Sequence, residues 1–218
     1  MTIVVRTLSE RIFEVIRERI IEGKLPDREP VRQDALAAEL GVSKIPLREA
    51  LARLEHEGLL TSQANRGWFV RPMSADQAEE IYLLRLATEP VAAAFSCTRS
   101  TDDDKQAAIN AFKLLDAAAN DDLNAVAVRN REFHVALVRP GGRLLTTQLV
   151  ERLEVLAERY VLAHLAPAGR GDRAHLEHQA LLDAWLAGNA DEVQALLTSH
   201  ISSTLDDLRG QFAASHTQ

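Results

Sequence analysis

The chain has 218 residues, 46% of them hydrophobic and only 5% aromatic, with a formal net charge of −7. That length suits one large domain or two small ones with buried cores, and no apolar run approaches the roughly 18 residues of a membrane span. Cys97 is the only cysteine, which excludes an internal disulfide, and MTIVVRTLSERIF holds no apolar leader, so a reducing cytoplasm is the expected location.

Charge is unevenly placed. Residues 1–73 carry 12 Lys+Arg against 11 Asp+Glu, whereas residues 74–218 carry 13 against 21. A near-neutral first third can gather cations on one face, while the acidic remainder suits a polyanion poorly. Two domains with different partners are expected, at 1–73 and 74–218.

Thr7-Leu-Ser-Glu10 fits a capping box that starts a helix. Behind it Leu8, Ile12, Ile16 and Ile20, with Val15 beside them, make one apolar stripe. Gly23 ends that helix, and Leu25-Pro26 opens a connection. A short helix over about Gln33 to Leu40 points Leu36 and Leu40 inward, and Gly41 supplies a turn. Ser43 is placed to cap a third helix, with Pro46 in its first turn, Leu47, Leu51 and Leu54 on its core face and Gly58 at its end. LLTSQ and GWFVR read as strands around Ala64-Asn65-Arg66-Gly67. Pro72-Met73 is the expected boundary.

Ser74-Ala-Asp-Gln77 repeats the capping-box pattern and starts a long helix to about Cys97. Polar breaks at 100–104, 120–122, 139–142, 167–172 and 187–191 then divide the chain into about six helices, before a frayed tail. The expected fold is mainly α: an N-terminal winged helix-turn-helix with a small β-hairpin, then an all-α helical bundle.

Two helices about a tight turn, followed by a hairpin, form a DNA-reading unit whose second helix enters the major groove N-terminus first. Here that helix opens Ser43-Lys44-Ile45-Pro46-Leu47-Arg48. Lys44 and Arg48 share a face opposite Leu47 and Leu51. They can address guanine or phosphate, and Ile45 a thymine methyl. Arg66 sits at the wing turn, where Gly67 lets backbone approach DNA, and Arg32 and Arg71 can meet phosphates. Any one of these cations alone would read as a solvated charge; their joint placement points to double-stranded DNA.

GVSKIPLREALARLEHEGLL followed by NRGWFV resembles the signature of the GntR family of bacterial transcription regulators. The likeness spans Thr7 to Arg71, with Lys44 for the usual Arg, Ile45 for the usual Thr, and Asp27-Arg28 where Pro-Gly is common. It implies that Ser43, Lys44, Ile45, Arg48, Arg66 and Gly67 contact DNA. The first two departures fall within the base-reading segment and bear on the operator sequence.

Six of seven histidines follow residue 130. Asn130 and His134 share a helix face. His178 lies ten residues before Gly188 and His200 twelve after it, about 15 and 18 Å along two helices. Antiparallel packing then brings both rings to a similar level. Imidazoles converging from three helices suit a divalent transition metal with open positions, Zn or Ni, although ordinary hydrogen-bonded histidines share this spacing. The C-terminal part also resembles the helical ligand-binding domain of the FadR subfamily, often called FCD. There an (Asp or Asn)-x-x-x-His motif joins two later histidines, which are Asn130, His134, His178 and His200 here. Asn130 in place of Asp removes a charge and weakens or alters metal binding.

Arg85, on the helix that resembles the first of that domain, can clamp a carboxylate beside a metal or pair with Glu89 at i+4. Tyr82 and His175 are further candidates to line the cavity. His56, His164 and His216 read as structural or exposed. The resemblance implies a homodimeric regulator, more often a repressor, whose operator affinity follows a small carboxylate effector. A sensor for which the ion itself is the signal, and a metalloenzyme, are the alternatives. The enzyme lacks any nucleophile or general-base motif such as GxSxG or HExxH.

Overall fold

The computed structural model describes residues 7–25, 27, 29–121, 123–165, 167 and 169–215. Pro26 and Arg28 of the expected connection, Asp122 of one polar break, and His216 in the expected frayed tail lie outside them. The chain divides into two units, Met1–Pro72 and Met73–Gln218. Met73 joins the second unit because its side chain packs against that unit's core.

In the first unit α1 spans Leu8–Ile21, α2 Gln33–Leu40 and α3 Lys44–His56, followed by β1, Leu60–Gln63, and β2, Gly67–Val70. The Thr7 capping box forms with both of its hydrogen bonds. The expected α1 stripe is rotated, however. Ile12, Phe13, Ile16 and Ile20 are buried, whereas Leu8 is 52% and Val15 37% exposed. At about 100° per residue, Leu8 and Val15 lie on one flank of Ile12, and the buried sector opens the other way through Phe13 and Arg17. Leu36 is buried, while Leu40 is only half-buried. Gly41 adopts φ +65°, a left-handed conformation that stops α2 and turns the chain into α3. The strands pair antiparallel with Leu60 opposite Val70 and Gln63 opposite Gly67. Asn65, φ +60°, and Gly67, φ +88°, make the turn between them.

The second unit contains α4 Ala75–Cys97, α5 Asp102–Asp121, α6 Leu123–Val138, a 3-10 turn Arg139–Gly141, α7 Leu144–Leu165, α8 Arg170–Leu186 and α9 Ala190–Ser215. Helix α4 packs along α9, α6 and α7, α5 along α6, and α8 along α9. Phe133, Tyr82, Tyr160, Leu137, Leu181 and Trp185 are among the fully buried side chains that fill the space between them. Half of the expected capping box forms at Ser74. Its hydroxyl accepts from Gln77 N at 3.1 Å, but the Ser74 N–H donates to Tyr160 Oη at 3.3 Å, and Gln77 Oε1 accepts from Tyr160 Oη at 3.1 Å. A tertiary partner has replaced the local one. No helix among the described residues is long and apolar enough to cross a membrane.

Candidate metal centre and DNA-reading surface

In the first unit, Arg32, Lys44 and Arg48 line one surface cleft of about 360 Å³ together with Gln33 and Asp34, two residues the sequence reading did not single out. Lys44 is ion-paired with Asp34, and Arg32 lies 3.6 Å from Glu29. Ile45 projects into solvent, 72% exposed. Ser43 takes the extended cap backbone conformation, but its side chain caps nothing. The helix starts without it because Pro46 supplies a fixed helical φ in the first turn.

On the wing, Arg66 Nη1 donates to Gln63 Oε1 at 2.9 Å, and its guanidinium lies 5.2 Å from the Phe69 ring centre. A side chain at Gly67 would come within 3.7 Å of Gln33 Nε2, which places the wing turn beside the start of α2. Glu55 fixes the wing to α3, accepting from Ser62 N at 3.0 Å and Trp68 Nε1 at 2.8 Å. Hydrogen bonds from Ser62 and then Trp68 hold its carboxyl below the usual range. Arg71 closes the unit, its N–H donating to Leu59 O at 3.0 Å.

In the second unit, His134 of α6, His178 of α8 and His200 of α9 meet. Their Nε2 atoms are 3.4 Å apart for His134 and His178, and 3.2 Å for His178 and His200. All three residues are buried. The far nitrogens are committed: His134 Nδ1 faces Glu89 Oε2 at 3.1 Å, and His200 Nδ1 faces Glu177 Oε2 at 2.6 Å. A carboxylate at that nitrogen fixes the Nδ1–H tautomer and leaves Nε2 as a lone pair. Arg85 Nη2, 3.4 Å from His134 Nδ1, is the weaker claimant to that atom.

Two lone pairs therefore face His178 Nε2, which has at most one proton to give. Such a cluster is incomplete as a hydrogen-bond network and well matched to a cation. Metal–nitrogen bonds of about 2.0–2.1 Å in tetrahedral geometry would separate ligand nitrogens by about 3.3–3.4 Å, close to the separations found here. Burial holds the imidazoles of His134 and His178 neutral, as ligation requires. It takes His134 down to about 4 and His178 well below its usual range, the latter helped by neighbouring His200.

Asn130 lies one turn before His134, is 5% exposed, and its carboxamide has no hydrogen-bond partner among the described residues. It lines the same cavity as Tyr82, Arg85, His175, His178 and His200, whose free space measures about 90 Å³ for the centre of a water-sized sphere. His175 is half-buried at that wall and faces Asp116 at 2.9 Å.

Arg85 both pairs with Glu89 and reaches the cavity. Its Nε donates to Glu89 Oε1 at 2.7 Å and its Nη2 to Glu154, while Nη1 has no partner among the described residues. Burial disfavours charge throughout this network and pushes the Glu154 carboxyl well up. At Glu89 the neighbouring Arg85 and His134 outweigh burial and hold the carboxyl at about 2. Glu154 and Glu89 likewise hold Arg85 charged against its burial. Tyr82, buried beneath the guanidinium, keeps an unpartnered hydroxyl whose pKa burial raises.

Sequence reasoning missed Glu154, Glu177 and His164. Glu177 adjoins a proposed ligand and could have been flagged. Glu154 belongs to a helix with no motif of its own, and buried His164 (4% exposed) lines the cavity although it read as structural or exposed.

Residues 8–70 match the bacterial regulatory protein family gntR and residues 80–203 the FCD domain. The chain is 31% identical over 215 residues to the HTH-type transcriptional regulator BphR of Paraburkholderia xenovorans, covering 94% of this chain and 86% of that one. It belongs to the GntR family of transcription regulators. This GntR regulator is also 31% identical to the nta operon transcriptional regulator of Aminobacter aminovorans, over 83% of this chain and 84% of the relative. Its fold matches the structure of Escherichia coli McbR/YncC with a TM-score of 0.80 at 21% identity, covering 95% of this chain and all of that one. The family and these relatives are transcription regulators rather than enzymes, which removes the metalloenzyme reading.

Proposed function

We propose that this GntR regulator is a cytoplasmic homodimer that represses transcription at a pseudo-palindromic operator, and that a small carboxylate bound beside a metal in its FCD domain controls its DNA affinity. The observation that carries the metal is the meeting of three Nε2 atoms, with that of His178 3.4 Å from His134 and 3.2 Å from His200, and with Glu89 and Glu177 accepting from the opposite nitrogens. His134, His178 and His200 would hold a divalent ion such as Zn or Ni, and the Asn130 carboxamide oxygen is the neutral group nearest in sequence to join them. When bound, the ion supplies a Lewis-acidic centre for an anionic ligand. Arg85 adds its uncommitted Nη1, and the Tyr82 hydroxyl and His175 complete the polar lining.

The relatives include the HTH-type transcriptional repressor GlaR of Escherichia coli, 28% identical over 87% of this chain, which supports repression as the sign. Exposed Leu83, Leu84 and Val91 on α4, with Leu145 and Leu149 on the adjoining α7, support a second copy as partner. Control requires that the effector bind one arrangement of the dimer more tightly than the other. In the first unit Lys44 and Arg48 read bases, while Arg32, Arg66 and Arg71 meet phosphate.

The test uses the full chain, stripped of metal or loaded with zinc or nickel. Its operator, obtained by selection from random duplexes, is titrated with and without carboxylates. A carboxylate response that appears only after metal loading supports this reading. DNA affinity that follows the metal and ignores every carboxylate would establish the metal-sensor reading instead.

A further inference from the structure

The cavity has a second polar end that the metal and Arg85 do not account for. His164 on α7 lines the cavity at 4% exposure, and neither ring nitrogen has a hydrogen-bond partner among the described residues. Asp207 Oδ2 lies 3.5 Å from its Nδ1, and Arg170 Nη1 donates to the His164 carbonyl oxygen at 3.0 Å. An unsatisfied imidazole nitrogen buried at a cavity wall costs free energy unless something supplies the missing bond.

The chemistry of that end is restricted. Asp207 favours the proton on the facing Nδ1, which leaves Nε2 as an acceptor. Thr204, also buried and lining the cavity, donates its hydroxyl proton to His200 O at 3.0 Å and keeps only lone pairs. A ligand group placed there must therefore be a donor. A carboxylate has none to offer. A buried ammonium needs an anionic partner, but Asp207 and Glu177 are already matched by the guanidiniums of Arg170 and Arg173. A neutral hydroxyl meets neither objection.

Spacing along α9 gives the reach. His200, Thr204 and Asp207 follow one helix face, with Thr204 about 6 Å and Asp207 about 10 Å beyond the metal-facing His200. At roughly 10–15 Å³ per water-sized position, the cavity of about 90 Å³ admits only a short molecule.

We infer that the ligand of this cavity is a short ω-hydroxy carboxylic acid, whose hydroxyl end is read by His164 and Thr204 at the pole opposite the metal. This rests on the carboxylate reading above, since the other end of the molecule is placed by the metal and Arg85.

The test is calorimetric titration of the full-length, zinc-loaded protein with four acids of equal chain length: pentanoate, 5-hydroxypentanoate, glutarate and 5-aminopentanoate. The hydroxy acid should bind at least about tenfold more tightly than pentanoate, the effect of one well-made hydrogen bond to a buried acceptor. His164→Phe should lower its affinity to that of pentanoate, and His164→Gln, which retains an acceptor, should restore part of the difference. Thr204→Val, at the second acceptor, should narrow the same difference independently. Preference for glutarate or the amino acid, or a hydroxyl preference unchanged in both His164→Phe and Thr204→Val, overturns the inference. Equal binding of all four acids overturns it while leaving the carboxylate reading standing. Failure of all four to bind overturns both.

Discussion

Glu177 offers the cleanest perturbation of the metal centre, because its side chain is 29% exposed and its named ion pairs are with His200 and Arg173 alone. Its Oε2 accepts from His200 Nδ1 at 2.6 Å, and Oε1 lies 3.5 Å from Arg173. In the metal-free protein, Glu177→Ala removes partly exposed pairs, costing about 0–1 kcal/mol. With zinc bound, losing the group that fixes the His200 tautomer costs about 10–100-fold in affinity, or about 1.4–2.7 kcal/mol. At free zinc near 1,000 times the native Kd, the native chain gains about 4.1 kcal/mol and the variant about 1.4–2.7 kcal/mol. For a domain of about 150 residues, at about 4 °C per kcal/mol, zinc should raise Tm by about 16 °C in the native chain and about 6–11 °C in the variant. Differential scanning fluorimetry at matched zinc reads both values. Equal shifts would refute the orienting role of Glu177, and no shift in the native chain would remove the metal centre altogether.

Arg48→Ala should weaken operator binding by about 1–3 kcal/mol and relax base preference at one position of each half-site, read by fluorescence anisotropy; unchanged affinity excludes base reading by Arg48. Leu83→Glu combined with Leu145→Glu should give a monomer by light scattering, because both side chains are at least half exposed before any partner covers them; a dimer of unchanged strength places the interface elsewhere. Burial holds His164 at about 4, with Asp207 opposing and Arg170, Arg173 and His200 reinforcing the depression. The unfolded chain protonates this ring near ~6.5, so it binds more protons between those values and stability falls as pH drops from ~6.5 to ~4, by at most about 3 kcal/mol. Metal-free His164→Leu should lose part of that slope in urea titrations, and identical slopes would refute the assignment.

The DNA-reading unit was legible because its constraints are local. Thr7, Gly41, Pro46 and the Arg66-Gly67 turn each impose a backbone conformation that can be read within a few residues. Its misreadings were also local: Leu8 and Val15 are apolar and correctly spaced but lie on the flank α1 leaves open, a matter of how the helix rolls against α3. The histidines of the second unit were legible as spacing along two helices joined at Gly188. What surrounds them was less so. Glu89 could be paired with Arg85 from the i+4 rule, but Glu154 reaches the same guanidinium from 69 residues away, and only packing brings it there. His164 carried no motif, and nothing in AHLAP distinguishes a ring facing a cavity from one facing solvent.

The buried charges explain why this centre should respond to an anion. Arg85 is cationic and Glu89 ionised, so this pair beside His134 carries no net charge before any ligand arrives. Three neutral imidazoles and the Asn130 carboxamide bring no charge to a divalent cation, which leaves two positive charges in a buried site. A carboxylate effector supplies the charge the protein withholds, so metal and effector should strengthen each other, by the same factor in both directions. Asn130→Asp moves that charge into the protein. Zinc affinity should then rise by about tenfold or more, and the gain in zinc affinity caused by pentanoate, of the order of 5–150-fold for a typical coupling, should fall toward one. Calorimetric titration of zinc with and without pentanoate, in native and Asn130→Asp chains, measures all four corners of this cycle. Coupling of equal size in both chains would mean that the effector acts through Arg85 alone and that the charge missing at Asn130 plays no part in the response.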